Sequence, residues 1–402
     1  MQQSTPLQVL RLKAKADRRL RGGHLWIYSN EVDTKATPLK QFEVGEQVVV
    51  EQAGGKPLGV AYLNPNNLIC GRMVSRDSAQ LLDRSLLVHR LKIALSLRQR
   101  CFEQDCYRLV YGDSDGLPGL VVDRFYDLLV VQISSAGMER LKAELVEALQ
   151  QVLKPSAILF RNDGKMRAME GLDSYVETAL GEVPELAPLV ENGVNFAAPV
   201  LTGQKTGWFY DHRMNRARLQ QHVAGKRVLD VFSYIGGWGV QAAAAGASEV
   251  LCLDASASAL DVVEHNAQLN GVADQVQTLQ GDAFDGLKQL KAEAEKFDVI
   301  VVDPPAFIQK RKDVRNGEQA YQRINQLAIS LLARDGLLVS ASCSMHLQRD
   351  RLVEIIRASS RQVDRQAQII EQGHQGADHP VHPAIPETDY LKSMFVRILP
   401  SF

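Results

Sequence analysis

The sequence of 402 residues has little net charge, no closely spaced cysteine pair and no apolar run long enough to span a bilayer. Each absence excludes something. A formal charge of −1 gives no bulk attraction to a polyanion, so any electrostatic footprint has to be local. Cys70, Cys101, Cys106, Cys252 and Cys343 form no CxxC pair and no Cys/His cluster, which disfavours structural zinc, and no metal is expected. An odd, scattered set reads as reduced thiols of the cytoplasm. The opening MQQSTPLQVLRLK lacks the apolar core of a signal peptide, so the expected location is cytoplasmic. There is no internal repeat and no low-complexity tract.

What is present is ordinary for a globular protein, 45% hydrophobic and 23% charged, at a length that predicts two or three domains. Residues 1–78 carry short alternating runs (LQVLRLK, EQVVVEQ, LGVAYLN, LICGRMV) broken by Gly and Asn-Pro turns, the pattern of a small β-barrel or sandwich. Residues 79–184 begin with an amphipathic helix over 83–102. A hairpin (GLVVDRF, DLLVVQI), a helix over 138–153 and the strand AILFRN follow, making a compact α+β unit. In residues 185–402 strands and helices alternate: RVLDVFS, EVLCLD, QVQTLQGD, FDVIVVDPP and GLLVSASCS, with helices between, and then YLKSMFVRIL, which reads as an edge or hairpin strand. The helix before GLLVSASCS is expected to run from Glu318 to about Gly336. Near-continuous apolar strands joined by crossover helices predict a parallel sheet covered on both faces, an α/β fold.

Ligands of such sheets bind at the carboxyl ends of the strands. Those ends read DVFSYIGGWG, CLDAS, QGDAF, VDPPAF and SASCS, and four of the five carry an aspartate. The first turn is glycine-rich without the GxGxxG spacing of a dinucleotide site, yet glycines such as Gly236 let a ligand approach the backbone. Asp230 opens that turn. Asp254, about twenty residues on, is placed to accept both ribose hydroxyls, and Asp282 to meet an adenine amine. An adenosine cofactor that needs no pyrophosphate cradle is S-adenosylmethionine. Phe232, Ser233, Ala255, Ser256, Ala283 and Pro304 lie beside these acids and complete the expected cofactor surface. Taken singly, any of the acids is equally a helix N-cap.

Asp303 follows an apolar strand and precedes two prolines that fix the chain, a shape that presents a carboxylate to the polar edge of a planar base. Cys343 ends the next strand. On its own it reads as core, because cysteine is among the most buried residue types. Beside Asp303 it reads as a nucleophile. C5 of cytosine is not nucleophilic, but a thiolate adding to C6 makes an enamine while an acid supports N3, and C5 can then take a methyl group. The rival readings are a purine N-methyltransferase, in which Cys343 is packing, and an RNA-binding assembly factor that uses the fold as a platform.

Two clusters carry the expectation of RNA binding. Lys13, Lys15, Arg18, Arg19 and Arg21, with Arg11, crowd the first segment, and His24, Trp26 and Tyr28 follow. Lys310, Arg311 and Lys312 follow DPPAF, where a basic loop could close over a substrate facing Pro305 and Phe307. Either run could equally be a solvated face. His379 and His382 sit in a proline-rich loop, and Cys70, Cys101, Cys106 and Cys252 look structural.

RLRGGHLWIYSNEV, YGDSDGLPGLVVDRF, QKTGWFYDHRMNR, DVFSYIGGWG, VDPPAF, SASCS, ADHP and YLKSMFVRI occur in an order that resembles the RlmI family, bacterial S-adenosylmethionine-dependent cytosine-5 methyltransferases of large-subunit (23S) ribosomal RNA. The resemblance covers nearly the whole chain. It implies an N-terminal PUA domain, a central α+β domain and a Rossmann-like methyltransferase domain, with 23S rRNA or a large-subunit precursor as partner. It also implies that Lys205, Thr206, Phe209, Asp211 and Arg213 lie toward the methionine end of the pocket. Many RNA cytosine-5 methyltransferases carry a second cysteine after the DPP prolines; here that position is Ala306, so Cys343 is the one candidate nucleophile. Lys205, Asp211 or a water are the candidates for removing the C5 proton. The helix over 83–102 and the central segment are the candidate homodimer surfaces.

Overall fold

The structure, a computed structural model, describes residues 7–401. The chain forms two compact units, one from residues up to Ala187 with Pro199–Trp208 and Ala377–Thr388, the other from Pro188–Ala198, Phe209–Gly376 and the segment from Asp389 onward.

In the first unit, strands Val9–Arg11, Trp26–Tyr28, Gln47–Glu51, Pro57–Leu63 and Ile69–Ser75 form one sheet, with Val9–Arg11 and Trp26–Tyr28 at its two edges. The edges nearly meet. Leu12 bridges Val32, Lys13 N donates to the Glu31 carbonyl at 2.8 Å, and Asp33 N donates to the Arg11 carbonyl at 2.9 Å. Closing the edges satisfies otherwise unpaired backbone groups and curls the sheet around Leu10, Ile27, Val48, Val50 and Leu63. A second five-stranded sheet follows in sequence order from Cys106–Tyr111 to Tyr175–Leu180. The expected hairpin is there, Leu120–Phe125 pairing antiparallel with Leu128–Ile133. The helix Arg84–Cys101, capped by Asp83, buries Leu87, Leu91 and Ala94, and the helix Lys142–Leu153 buries Leu145, Ala148 and Leu149.

The second unit is built on a seven-stranded sheet: β1 (Arg227–Val231), β2 (Glu249–Asp254), β3 (Val276–Gln280), β4 (Phe297–Val302), β5 (Leu332–Ser342), β6 (Arg365–Gly373) and β7 (Lys392–Pro400). Their order is β3-β2-β1-β4-β5-β7-β6; the first five run parallel and the last two pairings are antiparallel. The crossover helices are α1 (Gly239–Ala244), α2 (Ala257–Leu269), α3 (Ala283–Ala292), α4 (Val314–Leu331) and α5 (Arg349–Gln362). Leu229, Val231, Ile300, Val302 and Leu338 of the strands meet Leu287, Ile324, Ala328, Leu352 and Ile356 of the helices in one apolar core. This is the doubly wound α/β fold expected from the sequence. The chain reverses direction of travel between β3 and β4, so a crevice opens beyond the carboxyl ends of β1 and β4.

Two expectations are corrected. The strand beginning near Tyr390 is not an edge: β7 lies between β5 and β6, and β6 forms the edge. The segment RQAQIIEQG of β6 escaped notice because only one of its nine residues is buried and the pattern does not alternate. The helix expected to reach Gly336 ends at Leu331, because Leu332 already pairs with Phe297 of β4 and sheet hydrogen bonding takes over from the helix. Among the described residues no helix is long and apolar enough to cross a membrane, and no cluster of His, Cys, Asp and Glu could hold a metal ion.

Candidate active site

All the strand-end acids expected at the cofactor site lie in the second unit. Asp230 is fully buried; its Oδ2 accepts from Gly239 N at 2.8 Å, while Oδ1 has no partner. Burial pushes its carboxyl up to about 7, against the lowering effect of the Gly239 N–H. The loop that follows passes through left-handed backbone at Phe232, Tyr234 and Gly236. Glycine is required at 239 by space, since a Cβ there would stand 2.5 Å from Cys252 Sγ. Asp254 braces the same loop, Oδ2 accepting from Tyr234 N and Oδ1 from Ser256 N, each at 2.9 Å. Ser256 caps α2. Asp282 caps α3, its Oδ1 accepting from Phe284 N and Asp285 N, so the capping reading accounts for that oxygen; Ala283 is buried behind it.

Asp303 leaves β4 with a close neighbour at each oxygen. Trp238 Nε1 donates to Oδ2 at 3.0 Å, and His212 Nε2 lies 3.1 Å from Oδ1. Asn215 Nδ2 donates to the His374 carbonyl at 3.2 Å and also reaches His212 Nδ1 at 3.2 Å. Burial by itself would raise the Asp303 carboxyl, but His212 and the two hydrogen bonds outweigh it and hold the group below the usual carboxylate range. The side chain keeps 19% of its surface exposed. Pro304 is buried and Pro305 exposed.

Val302 of β4 pairs with Ser340 of β5, so Asp303 and Cys343 leave adjacent parallel strands at the same end. Cys343 is half-buried. The residues on either side of it are latched. Ser342 Oγ donates to Tyr321 Oη at 2.8 Å, Tyr321 Oη lies 2.9 Å from Ser344 Oγ, and Ile308 N donates to Ser344 Oγ at 3.2 Å. The turn after β5 is thus tied to the turn after VDPPAF. Phe307 packs at ring distances of 4.9 Å from Tyr321 and 6.2 Å from both Phe232 and Phe284, inside an aromatic cluster. Lys392, the first residue of β7, is buried, and its Nζ donates to the Ser344 carbonyl at 2.7 Å.

Other expected positions are engaged within the protein. Arg213 lies 3.6 Å from Glu191, which also receives Arg216 at 2.7 Å. Asp211 is buried and accepts from Tyr390 Oη at 2.6 Å. Phe209 meets Tyr234 edge-on. In the first unit, Thr206 donates to Asp123 at 2.5 Å and Lys205 is exposed in left-handed backbone. Arg19 forms a two-pronged pair with Glu31 and lies over the Tyr28 ring, Arg21 reaches Asp17, and Lys13 Nζ donates to the Asn30 carbonyl. Lys15 and Arg18 are exposed, as are Lys310, Arg311 and Lys312 of the second unit, and none of these five makes a described ion pair. His379 is buried against Asp378 and Tyr111, and His382 Nδ1 accepts from Ala384 N.

The residues fit S-adenosylmethionine on two grounds: Asp230 Oδ1 is a buried acceptor without a donor, and small residues line the loop above it. Sequence reasoning missed His212, Asn215, Trp238, Tyr321, Ser344 and Lys392. Trp238 stood inside GGWG and Lys392 was a lone charge in an apolar strand pattern; the others had no local signal.

Residues 119–386 match the S-adenosylmethionine-dependent methyltransferase family model, and residues 10–76 match the PUA-like domain. The chain is 37% identical over 384 residues to ribosomal RNA large subunit methyltransferase I of Erwinia tasmaniensis, covering 94% of this chain and 96% of that protein. It is 36% identical to the protein of the same name from Escherichia coli (strain SMS-3-5 / SECEC), over the same shares. In fold it is similar to a solved chain assigned to the methyltransferases in complex with SAH, with TM-score 0.83 at 21% identity, covering 97% of this chain and all of that one. A SAM-dependent methyltransferase from Streptococcus mutans gives TM-score 0.82 at 20% identity, over the same shares.

Proposed function

The chain belongs to the family of the large-subunit ribosomal RNA methyltransferases I, S-adenosylmethionine-dependent enzymes, and we propose that it forms 5-methylcytosine in 23S rRNA through a covalent adduct on Cys343. The observation that carries this reading is the latch of Tyr321, Ser342 and Ser344, which holds the Cys343 turn to the VDPPAF turn. A cysteine serving only as packing needs no such registration with a carboxylate on the neighbouring strand.

The Cys343 thiolate adds to C6; the S–C6 bond forms and the C5=C6 pair shifts into the ring. Asp303, a carboxylate at rest, accepts from the amine edge of the base and passes a proton from water to N3. When bound, S-adenosylmethionine supplies the electrophilic methyl group that C5 takes, leaving S-adenosylhomocysteine. A base then removes the C5 proton, the C5=C6 bond reforms, the thiolate is expelled and N3 returns its proton. Asp211 or a water is the candidate for that base. Asp230, Asp254 and the Phe232–Gly236 turn hold the cofactor, with Ser233, Ala255, Ser256, Ala283 and Pro304 along its walls. The PUA-like segment and the Lys310–Lys312 loop hold RNA phosphates, with Lys15 and Arg18 the open cations of the first cluster.

The deciding experiment incubates wild type and Cys343→Ala with labelled S-adenosylmethionine and unmodified 23S rRNA and identifies the methylated nucleoside by mass spectrometry. 5-Methylcytidine from wild type, absent from the variant, is expected. A methylated purine, or an equally active variant, overturns the adduct.

A further inference from the structure

Lys392 is a buried cation with no described carboxylate within 4.0 Å. Burying an ammonium is costly unless something nearby compensates. Register puts Lys392 opposite Ser342, and its Nζ is anchored on the Ser344 carbonyl, so it is bound to the residues on both sides of Cys343. The charged or titratable groups facing it are Cys343 itself, Asp389 ahead of β7 and Arg349 at the start of α5. Arg349 repels it, and Asp389 is beyond ion-pair distance.

We propose that Lys392 is a positioning residue for the methyl transfer: its ammonium is the counter-charge that keeps Cys343 as a thiolate, and a single carbonyl anchor aims it. This rests on the reading of Cys343 as the nucleophile. Burial lowers the Lys392 amine to about 8 while Cys343 opposes that drop, so the ammonium form prevails near neutral pH. A cation beside a thiol draws its pKa down and raises the thiolate fraction. The geometry also explains why a lysine interrupts an otherwise apolar strand start.

The test follows alkylation of Cys343 by iodoacetamide against pH, read on the Cys343 peptide by mass spectrometry, in the full-length protein. Wild type should show a midpoint below the roughly 8.5 of a free cysteine. Lys392→Gln keeps a donor for the Ser344 carbonyl but removes the charge, and Lys392→Met removes both. Both should raise the midpoint by about one pH unit or more, a roughly tenfold loss of thiolate at neutral pH. A wild-type midpoint at or above the free value overturns the proposal even if neither variant folds. A wild-type midpoint retained in Lys392→Gln also overturns it and leaves Lys392 a carbonyl anchor only. The nucleophile reading is judged separately: an active Cys343→Ala enzyme sinks it whatever the alkylation profile, whereas an inactive one with an unmoved Lys392→Gln midpoint sinks the Lys392 role alone.

Discussion

His212 Nε2 lies 3.1 Å from Asp303 Oδ1, and both side chains are largely buried. The contact joins the turn ahead of the Arg213–Leu219 helix to the end of β4, across 91 residues of sequence. With Trp238 on the other oxygen, it fixes the orientation of the carboxylate that ends β4.

Removing either donor should cost turnover more than cofactor affinity. A hydrogen bond to a charged group is worth about 1.5–3 kcal/mol, so Trp238→Phe should lower kcat roughly 10- to 100-fold. His212→Gln, which retains a donor, should lose less. Steady-state kinetics on 23S rRNA, with S-adenosylmethionine binding measured in parallel, checks both; an unchanged kcat for Trp238→Phe would show that Asp303 needs no clamp.

Asp230 makes stability depend on pH in the direction opposite to a salt-bridged acid. Its folded value is raised from 3.8 to about 7, so between those values the folded chain binds more protons than the unfolded one. Its contribution to stability is therefore present at low pH and is lost as pH rises through that window. In cofactor-free protein, Asp230→Asn should flatten the fall in stability between about pH 4 and pH 7. Denaturant unfolding across that range tests it, and parallel curves for variant and wild type count against the buried, unpartnered oxygen.

The latch beside Cys343 should matter for stability as well as catalysis. Tyr321→Phe leaves the Ser342 and Ser344 hydroxyls short of a buried partner, at a cost of about 1–3 kcal/mol. Denaturant midpoints should fall accordingly, and 5-methylcytidine formation should drop further than the stability loss alone explains. A variant as stable and as active as wild type would mean the turn is held by other contacts.

Replacing Lys310, Arg311 and Lys312 together by alanine should weaken RNA binding and leave S-adenosylmethionine binding unchanged. Each lost phosphate contact lowers the slope of log affinity against log salt by about 0.7 on single-stranded RNA, so a combined drop of roughly 2 is expected. Binding titrations at several salt concentrations measure it. An unaltered slope would assign the loop to solvent.

Much of the site was legible because parallel sheets place function at strand ends, and strand ends are local features of sequence. Asp230, Asp254, Asp303 and Cys343 each follow an apolar run that announces the strand before it. Asp282 was legible as a position, but its cap on α3 was visible only with the helix in place. The basic cluster at residues 11–21 read as a unit, although Arg19 and Arg21 turn out to be occupied by Glu31 and Asp17. Sequence composition counts charges and cannot show which are already paired.

By itself the sequence determined the alternation of strands and helices, the acids and the cysteine at the carboxyl ends, and the family motifs, since hydrophobic period and turn chemistry act over a few residues. Tertiary structure decided that β7 sits inside the sheet, that His212 and Trp238 flank Asp303, that Tyr321 and Ser344 join two turns, and that Lys392 anchors on the Ser344 carbonyl. Those are contacts between residues far apart in the chain. Their energies depend on burial and register, and both exist only once the sheet has closed.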